Sequence, residues 1–191
     1  NHEKLNHEKL NHEKLITDKH SFHKYTIKLT PNKYKKIFDE YIHMKEIKNT
    51  RKYDVCIHIR GGDIFRGTGH PSYIPLPLTF YQKYIELYKD KSICVVHEDN
   101  GNPSVDILRK QYPKINFQSS DLLTDIYTLS NCEILIPSTG TFFLTSFCIS
   151  NTIKKIIYPE YLDQWFDTSK WGIEAERIEF PNYIKLGEWK N

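Results

Sequence analysis

Between Cys56 and Phe65 the chain reads CIHIRGGDIF, an apolar run with a His and an Arg set into its end, followed by two glycines and an Asp. A guanidinium at the end of an apolar segment needs an anionic partner, and Arg60 has two candidates: the Asp63 carboxylate or a bound phosphate. Gly61 and Gly62 allow either a tight turn or close approach of backbone to a ligand. Three further groups have related character. His97-Glu98-Asp99-Asn100 follows an apolar run, Asp121 and Asp125 lie ahead of and inside a helical stretch, and Ser138-Thr139-Gly140-Thr141 precedes an apolar helix. Hydroxyls and backbone N–H groups before a helix suit a phosphate, whereas the acids suit turns, helix caps or a hard cation. No GxxxxGK, GxGxxG or GxSxG occurs, so a Walker loop, a dinucleotide fingerprint and a nucleophile elbow are all absent.

These groups need a scaffold that brings them together. Val55 to Ile59 reads as a strand, Leu78 to Tyr88 as a helix with a stripe of Phe80, Tyr84, Leu87 and Tyr88, and Ile93 to Val96 as a second strand. Asn102-Pro103 combines a cap with Pro in the first turn and opens a helix through Gln111. Ile115 to Phe117 follows as a strand, then a helix capped by Ser120 or Asp121 through Leu129, a strand Glu133 to Ile136, an apolar helix Phe142 to Ser150 and a last strand Lys155 to Tyr158. A further helix is expected from Pro31 to about Lys45. Alternating strands and helices with short connections imply right-handed crossovers and a doubly wound, mostly parallel α/β sheet of Rossmann-like type. In such sheets ligands bind beyond the carboxyl ends of the strands, where the polar groups above collect.

The 191 residues fit one domain, taken here as 21–191, behind a low-complexity tail, 1–20, that opens with NHEKL three times over. A five-residue period cannot stack Leu5, Leu10 and Leu15 into one helical stripe, and His2, His7 and His12 read as solvated repeat. A net charge of +3 with acids and bases intermixed gives no basic patch for nucleic acid or a membrane surface. No apolar stretch approaches the roughly 18 residues of a membrane span, and no signal-peptide block leads the chain, so a cytoplasmic location is expected. The four cysteines form no CxxC pair and read as reduced core residues. The aromatic run after Tyr161, with Trp165, Phe166 and Trp171, suits packing on a sheet edge or stacking on a sugar.

His58-Ile59-Arg60-Gly61-Gly62-Asp63 resembles the HxRRxD or HxRxGD signature of the α-1,2, α-1,6 and protein O-fucosyltransferase superfamily. Asp125-Ile-Tyr-Thr-Leu-Ser130, Glu133-Ile-Leu-Ile136 and Ser138-Thr-Gly-Thr-Phe142 resemble its second and third motifs, in the same order, and the resemblance covers about Asp54 to Tyr158. It implies the donor-binding lobe of a GT-B-type glycosyltransferase that passes a sugar, expected to be fucose from GDP-fucose, to a glycan hydroxyl with inversion and without a metal or other cofactor. Arg60 would then hold the donor β-phosphate, His58 and Asp125 the nucleotide, with Asp125 on guanine. Gly61 and Gly62 would give the donor room, and Ser138, Thr139, Gly140 and Thr141 would donate to the diphosphate. Asp63 would position Arg60 or serve as a turn residue. Two departures stand out: Gly61 occupies the place of a second Arg, and Thr68 that of a Glu taken as the acceptor base in some relatives, which leaves nearby His70 as the candidate base. The family's second lobe is not accounted for, so it is expected to be reduced, to lie elsewhere in a longer chain, or to come from another chain. Two other functions fit the residues: an Mg²⁺-dependent phosphoesterase using Asp63, Glu98, Asp99 and Asp121, and a non-catalytic nucleotide-sugar-binding domain.

Overall fold

Strand β1, Tyr53–Ile59, is buried from Val55 to Ile59, and a strand covered on both faces has to be apolar almost throughout. His58 is the exception within it. The structure, a computed structural model, describes residues 51–65, 73–140, 142–164 and 171–180, together with Lys36, Glu40 and Ser169. The NHEKL tail, Thr68, His70, Thr141, Trp165, Phe166 and the side chain of Asp63 lie outside the described residues, as does the expected Pro31–Lys45 helix apart from Lys36 and Glu40, which are helical.

After β1 the chain continues through α1 (Leu78–Leu87), β2 (Ile93–His97), α2 (Pro103–Gln111), β3 (Asn116–Gln118), α3 (Leu122–Ser130), β4 (Cys132–Ile136), α4 (Phe142–Ile149), β5 (Lys155–Pro159) and β6 (Glu174–Ile178). The six strands form one sheet in the order β3-β2-β1-β4-β5-β6, with every neighbouring pair parallel. This is the Rossmann order. The progression of the chain reverses between β1 and β4, which places the crevice of a doubly wound sheet beyond their carboxyl ends.

Alternation along the strands divides the core in two. Val55, Ile57 and Ile59 of β1 pack with Phe80, Tyr81 and Tyr84 of α1 and with Val105 and Leu108 of α2. Cys56 and Leu135 pack on the opposite side with Leu129 of α3 and with Phe143 and Phe147 of α4. Alternation puts His58 on the same face as Cys56, toward the helices that flank the crevice. All four cysteines are free and buried in the core.

Two helix starts behave as their residues demand. Asn102 Oδ1 accepts from Ser104 N at 2.9 Å to cap α2. Asp121, rather than Ser120, caps α3 by accepting from Leu123 N at 3.1 Å and Thr124 N at 3.0 Å.

β6 was not expected, because Glu-Ala-Glu-Arg-Ile has no apolar alternation. A parallel ladder with β5 and the packing of Ile178 on the core place it, and charge adds to this: Lys155 pairs with Glu174 at 2.7 Å and Glu176 at 2.9 Å, and Tyr84 donates to Glu176 at 2.8 Å. Charged side chains are a usual protection for an edge strand. The aromatic run beside it contributes Trp171, whose ring lies 4.6 Å from that of Phe147, so this Trp packs on the core. Among the described residues no helix is long and apolar enough to cross a membrane.

Candidate functional site

A cavity of about 260 Å³ opens beyond the carboxyl ends of β1 and β2, lined by His58, Arg60, His97, Glu98, Ser120, Asp125 and Phe142 among others. Arg60, the first residue after β1, extends its guanidinium toward the turn after β4. There it touches Gly140 so closely that a Cβ at that position would collide with Nη1. The guanidinium also lies 4.4 Å from the Tyr73 ring centroid, within cation–π range. Its backbone is fixed as well, since Asn102 Nδ2 donates to the Arg60 carbonyl at 2.8 Å. Asn102 thus caps α2 with one side-chain atom and ties it to β1 with the other.

His58 is buried beside Arg60, and its ring lies 5.1 Å from that of Phe142. Burial, and secondarily the Arg60 charge, lowers its pKa to about 3, so the ring is neutral at physiological pH. Its Nδ1 is buried without a hydrogen-bond partner. Such an atom is costly unless a ligand or water meets it. Asp125 is also buried and accepts from Gln118 Nε2 at 2.8 Å and from Ser120 N at 3.2 Å. His97 is the third buried polar group. Arg109 Nη2 lies 3.2 Å from its Nε2, and an Arg only donates, so Nδ1 carries the proton and donates to the Asp99 carbonyl at 3.1 Å. Burial lowers the His97 pKa too.

The turn after β1 departs from expectation. Gly61 N donates to Glu98 Oε2 at 3.2 Å and Gly62 N to Asp99 Oδ1 at 2.9 Å, while Gly101 N donates to the same Asp99 oxygen at 2.7 Å. Two successive N–H groups of the kind that cradle anions are therefore filled from within the chain. In this structure the space at Gly61 and Gly62 is taken by the Asp99 and Glu98 carboxylates. A Cβ on Gly61 would collide with Asp99 Oδ1, and Gly62 has φ +55, in the region that favours glycine. Any side chain at position 61, a second Arg included, would carry its Cβ into the same contact.

Around β4 the expected residues divide. Gly140, with φ +99, faces Arg60 directly. Ser138 and Thr139 are buried and do not line the cavity, and Thr139 Oγ1 has no hydrogen-bond partner. The Thr139 hydroxyl is enclosed. The structure thus brings His58, Arg60, Asp125 and Gly140 to one place at the strand ends. Asp63 contributes backbone to a short 3₁₀ turn, Gly62–Phe65.

Sequence reasoning missed Phe142 as the wall against His58, Tyr73 beneath Arg60, and Glu98 as the acceptor for Gly61. Phe142 had a usable signal, because it directly follows the Ser-Thr-Gly-Thr segment. Tyr73 had none. Of the acids of the alternative reading, Asp121 is a cap, Glu98 and Asp99 lie together against Gly62 and accept from backbone, and the side chain of Asp63 lies outside the described residues. Among the described residues no group of three His, Cys, Asp or Glu side chains could hold a metal ion.

A larger cavity of about 420 Å³ lies at the opposite, amino end of the strands, with Arg51, Lys89, Lys91 and Lys114 around it. Lys89 and Lys91 follow α1, and Lys114 follows α2, where cations complement the exposed carbonyls of helix ends. Comparison with models of known protein families finds no match, and comparison with curated proteins finds none either.

Proposed function

We propose that this chain is the donor-binding domain of an inverting, metal-independent glycosyltransferase that takes a nucleoside-diphosphate sugar, with GDP-fucose as the leading donor. The observation that carries the reading is Arg60: it stands at the switch point of a Rossmann sheet, packs against Gly140, and shares a cleft with His58 and Asp125. The sequence resemblance assigns the same residues to the donor. A departing diphosphate gains negative charge, and a guanidinium already in position stabilises that charge without reorganisation. His58 lines the cleft as a neutral ring, and Asp125 keeps acceptor capacity for the N–H groups of a base. A glycan hydroxyl is the acceptor in this reading.

Calorimetry with GDP, GDP-fucose, UDP-sugars and CMP tests the reading. Binding of the guanine nucleotides that is lost in Arg60→Ala is the expected result. No binding of any nucleotide, or binding indifferent to Arg60→Ala, rejects it. Nucleotide binding with neither transfer nor donor hydrolysis would instead identify a non-catalytic binding domain.

A further inference from the structure

Transfer by this mechanism needs a base for the acceptor hydroxyl, and the groups around the cleft differ sharply in their fitness for it. His58 is buried and resists protonation at neutral pH, and both ring nitrogens of His97 are engaged. Asp125 is buried and accepts from Ser120 N through both oxygens as well as from Gln118. Asp99 Oδ1 is held by two backbone N–H groups, and Asp99 is absent from the cavity lining.

Glu98 differs on each count. It lines the cavity and is exposed at its mouth, and only Oε2 is held, by Gly61 N at 3.2 Å. Its main chain is fixed on both sides, because its N–H donates to the Ile59 carbonyl at 3.2 Å and its carbonyl accepts from Ser119 Oγ at 3.2 Å. Glu98 thus has one oxygen anchored on Gly61 N, while Oε1 lies by the Gly62 turn close to Asp99 Oδ2, and an exposed carboxylate so held at the end of β2, lining the cleft, has the form of a base.

Resting on the donor reading above, we infer that Glu98 is the catalytic base, with Oε1 taking the proton of the acceptor hydroxyl. In that step the acceptor oxygen bonds to the anomeric carbon as its proton passes to Glu98 Oε1. The bond from that carbon to the diphosphate oxygen breaks on the opposite face, and the electron pair leaves with the diphosphate beside Arg60. The neighbouring acid, Asp99, accepts from Gly62 N and Gly101 N, keeps that turn in shape and stays outside the chemistry.

The test uses the full chain and GDP-fucose, with water as the acceptor. Release of fucose and GDP is expected from the unaltered protein. Glu98→Gln, which preserves a carbonyl oxygen for Gly61 N, is expected to retain GDP-fucose affinity within about threefold while turnover falls about 100-fold or more, the range for loss of a general base. Azide, which needs no deprotonation, is expected to restore turnover in Glu98→Ala and to yield fucosyl azide. Turnover of Glu98→Gln within a few-fold of the unaltered protein, loss of affinity in parallel with turnover, or failure of azide would each overturn the assignment. Donor binding without turnover in the unaltered protein would also overturn it while leaving the donor reading in place. Absence of donor binding would remove the donor reading itself.

Discussion

Two glycine turns stand side by side at the carboxyl ends of β1 and β4, and both contain a glycine in the left-handed region, Gly62 at φ +55 and Gly140 at φ +99. In the β1 turn the N–H groups of Gly61 and Gly62 meet Glu98 and Asp99, so the anion they attract is already part of the chain. In the β4 turn Gly140 meets a guanidinium instead. Similar backbone devices therefore do opposite work: one turn is closed by carboxylates, and the other gives space to a cation that faces the cleft. A glycine-rich strand end does not by itself mark a phosphate site. What decides is which side chain of a neighbouring loop reaches its N–H groups first.

The contrast can be broken experimentally, and Arg60→Ala should have the largest effect. Losing a charge-assisted contact to phosphate is expected to weaken GDP binding by about 2–3 kcal/mol, roughly 30- to 150-fold, as read by calorimetry. Gly140→Ala attacks the same unit from the other side, since the new Cβ meets Arg60 and the backbone angle disfavours any side chain. A loss of about 1–3 kcal/mol of stability is expected in denaturant titrations, together with weaker GDP binding.

Substitutions in the β1 turn should separate stability from binding. Gly61→Ala displaces Asp99 from its two N–H partners and is expected to cost about 1–2 kcal/mol of stability. Asp99→Asn should lower stability by a smaller amount and leave GDP affinity undiminished. A large loss of affinity in Asp99→Asn would show that the carboxylate serves the ligand rather than the turn.

Acid provides the smallest test. The pKa of His58 falls from 6.5 to about 3 in the folded chain because of burial, so between those values the unfolded chain binds a proton that the native chain does not. Stability from this group is complete above pH 6.5 and declines as pH falls toward 3, by about 1 kcal/mol between pH 6 and pH 5. His58→Gln should remove that slope in urea titrations at the two pH values.

Most of the sheet was legible because buried parallel strands and amphipathic helices write their periods into the chain, and Asn102-Pro103 and Asp121 mark helix starts that the structure keeps. β6 was not legible, since its place depends on pairing with β5 and on contacts from Lys155 and Tyr84 rather than on a pattern of its own. At the candidate site, residue type was enough to single out Arg60, whereas His58 and Asp125 were singled out through the family resemblance; all three line the cavity. The partners of Gly61 and Gly62 were hidden for a physical reason. Bonds from Glu98 and Asp99 to backbone depend on how two loops from different strands meet, and neither loop carries a sign of the other. The Asp99-Asn100-Gly101 segment does form a turn, with Asp99 also bonding to a glycine of the neighbouring strand end.

The contact between Arg60 and Gly140 also constrains how this protein can change over time. A side chain at position 140 and a long guanidinium at position 60 exclude one another, so the two positions form a single inherited unit despite their distance along the chain. A lineage that shortens Arg60 still meets the backbone angle of +99 at position 140, which strains any side chain, whereas one that fills position 140 first meets both that angle and the guanidinium. The order of substitution is thereby biased, and the glycine outlasts the arginine.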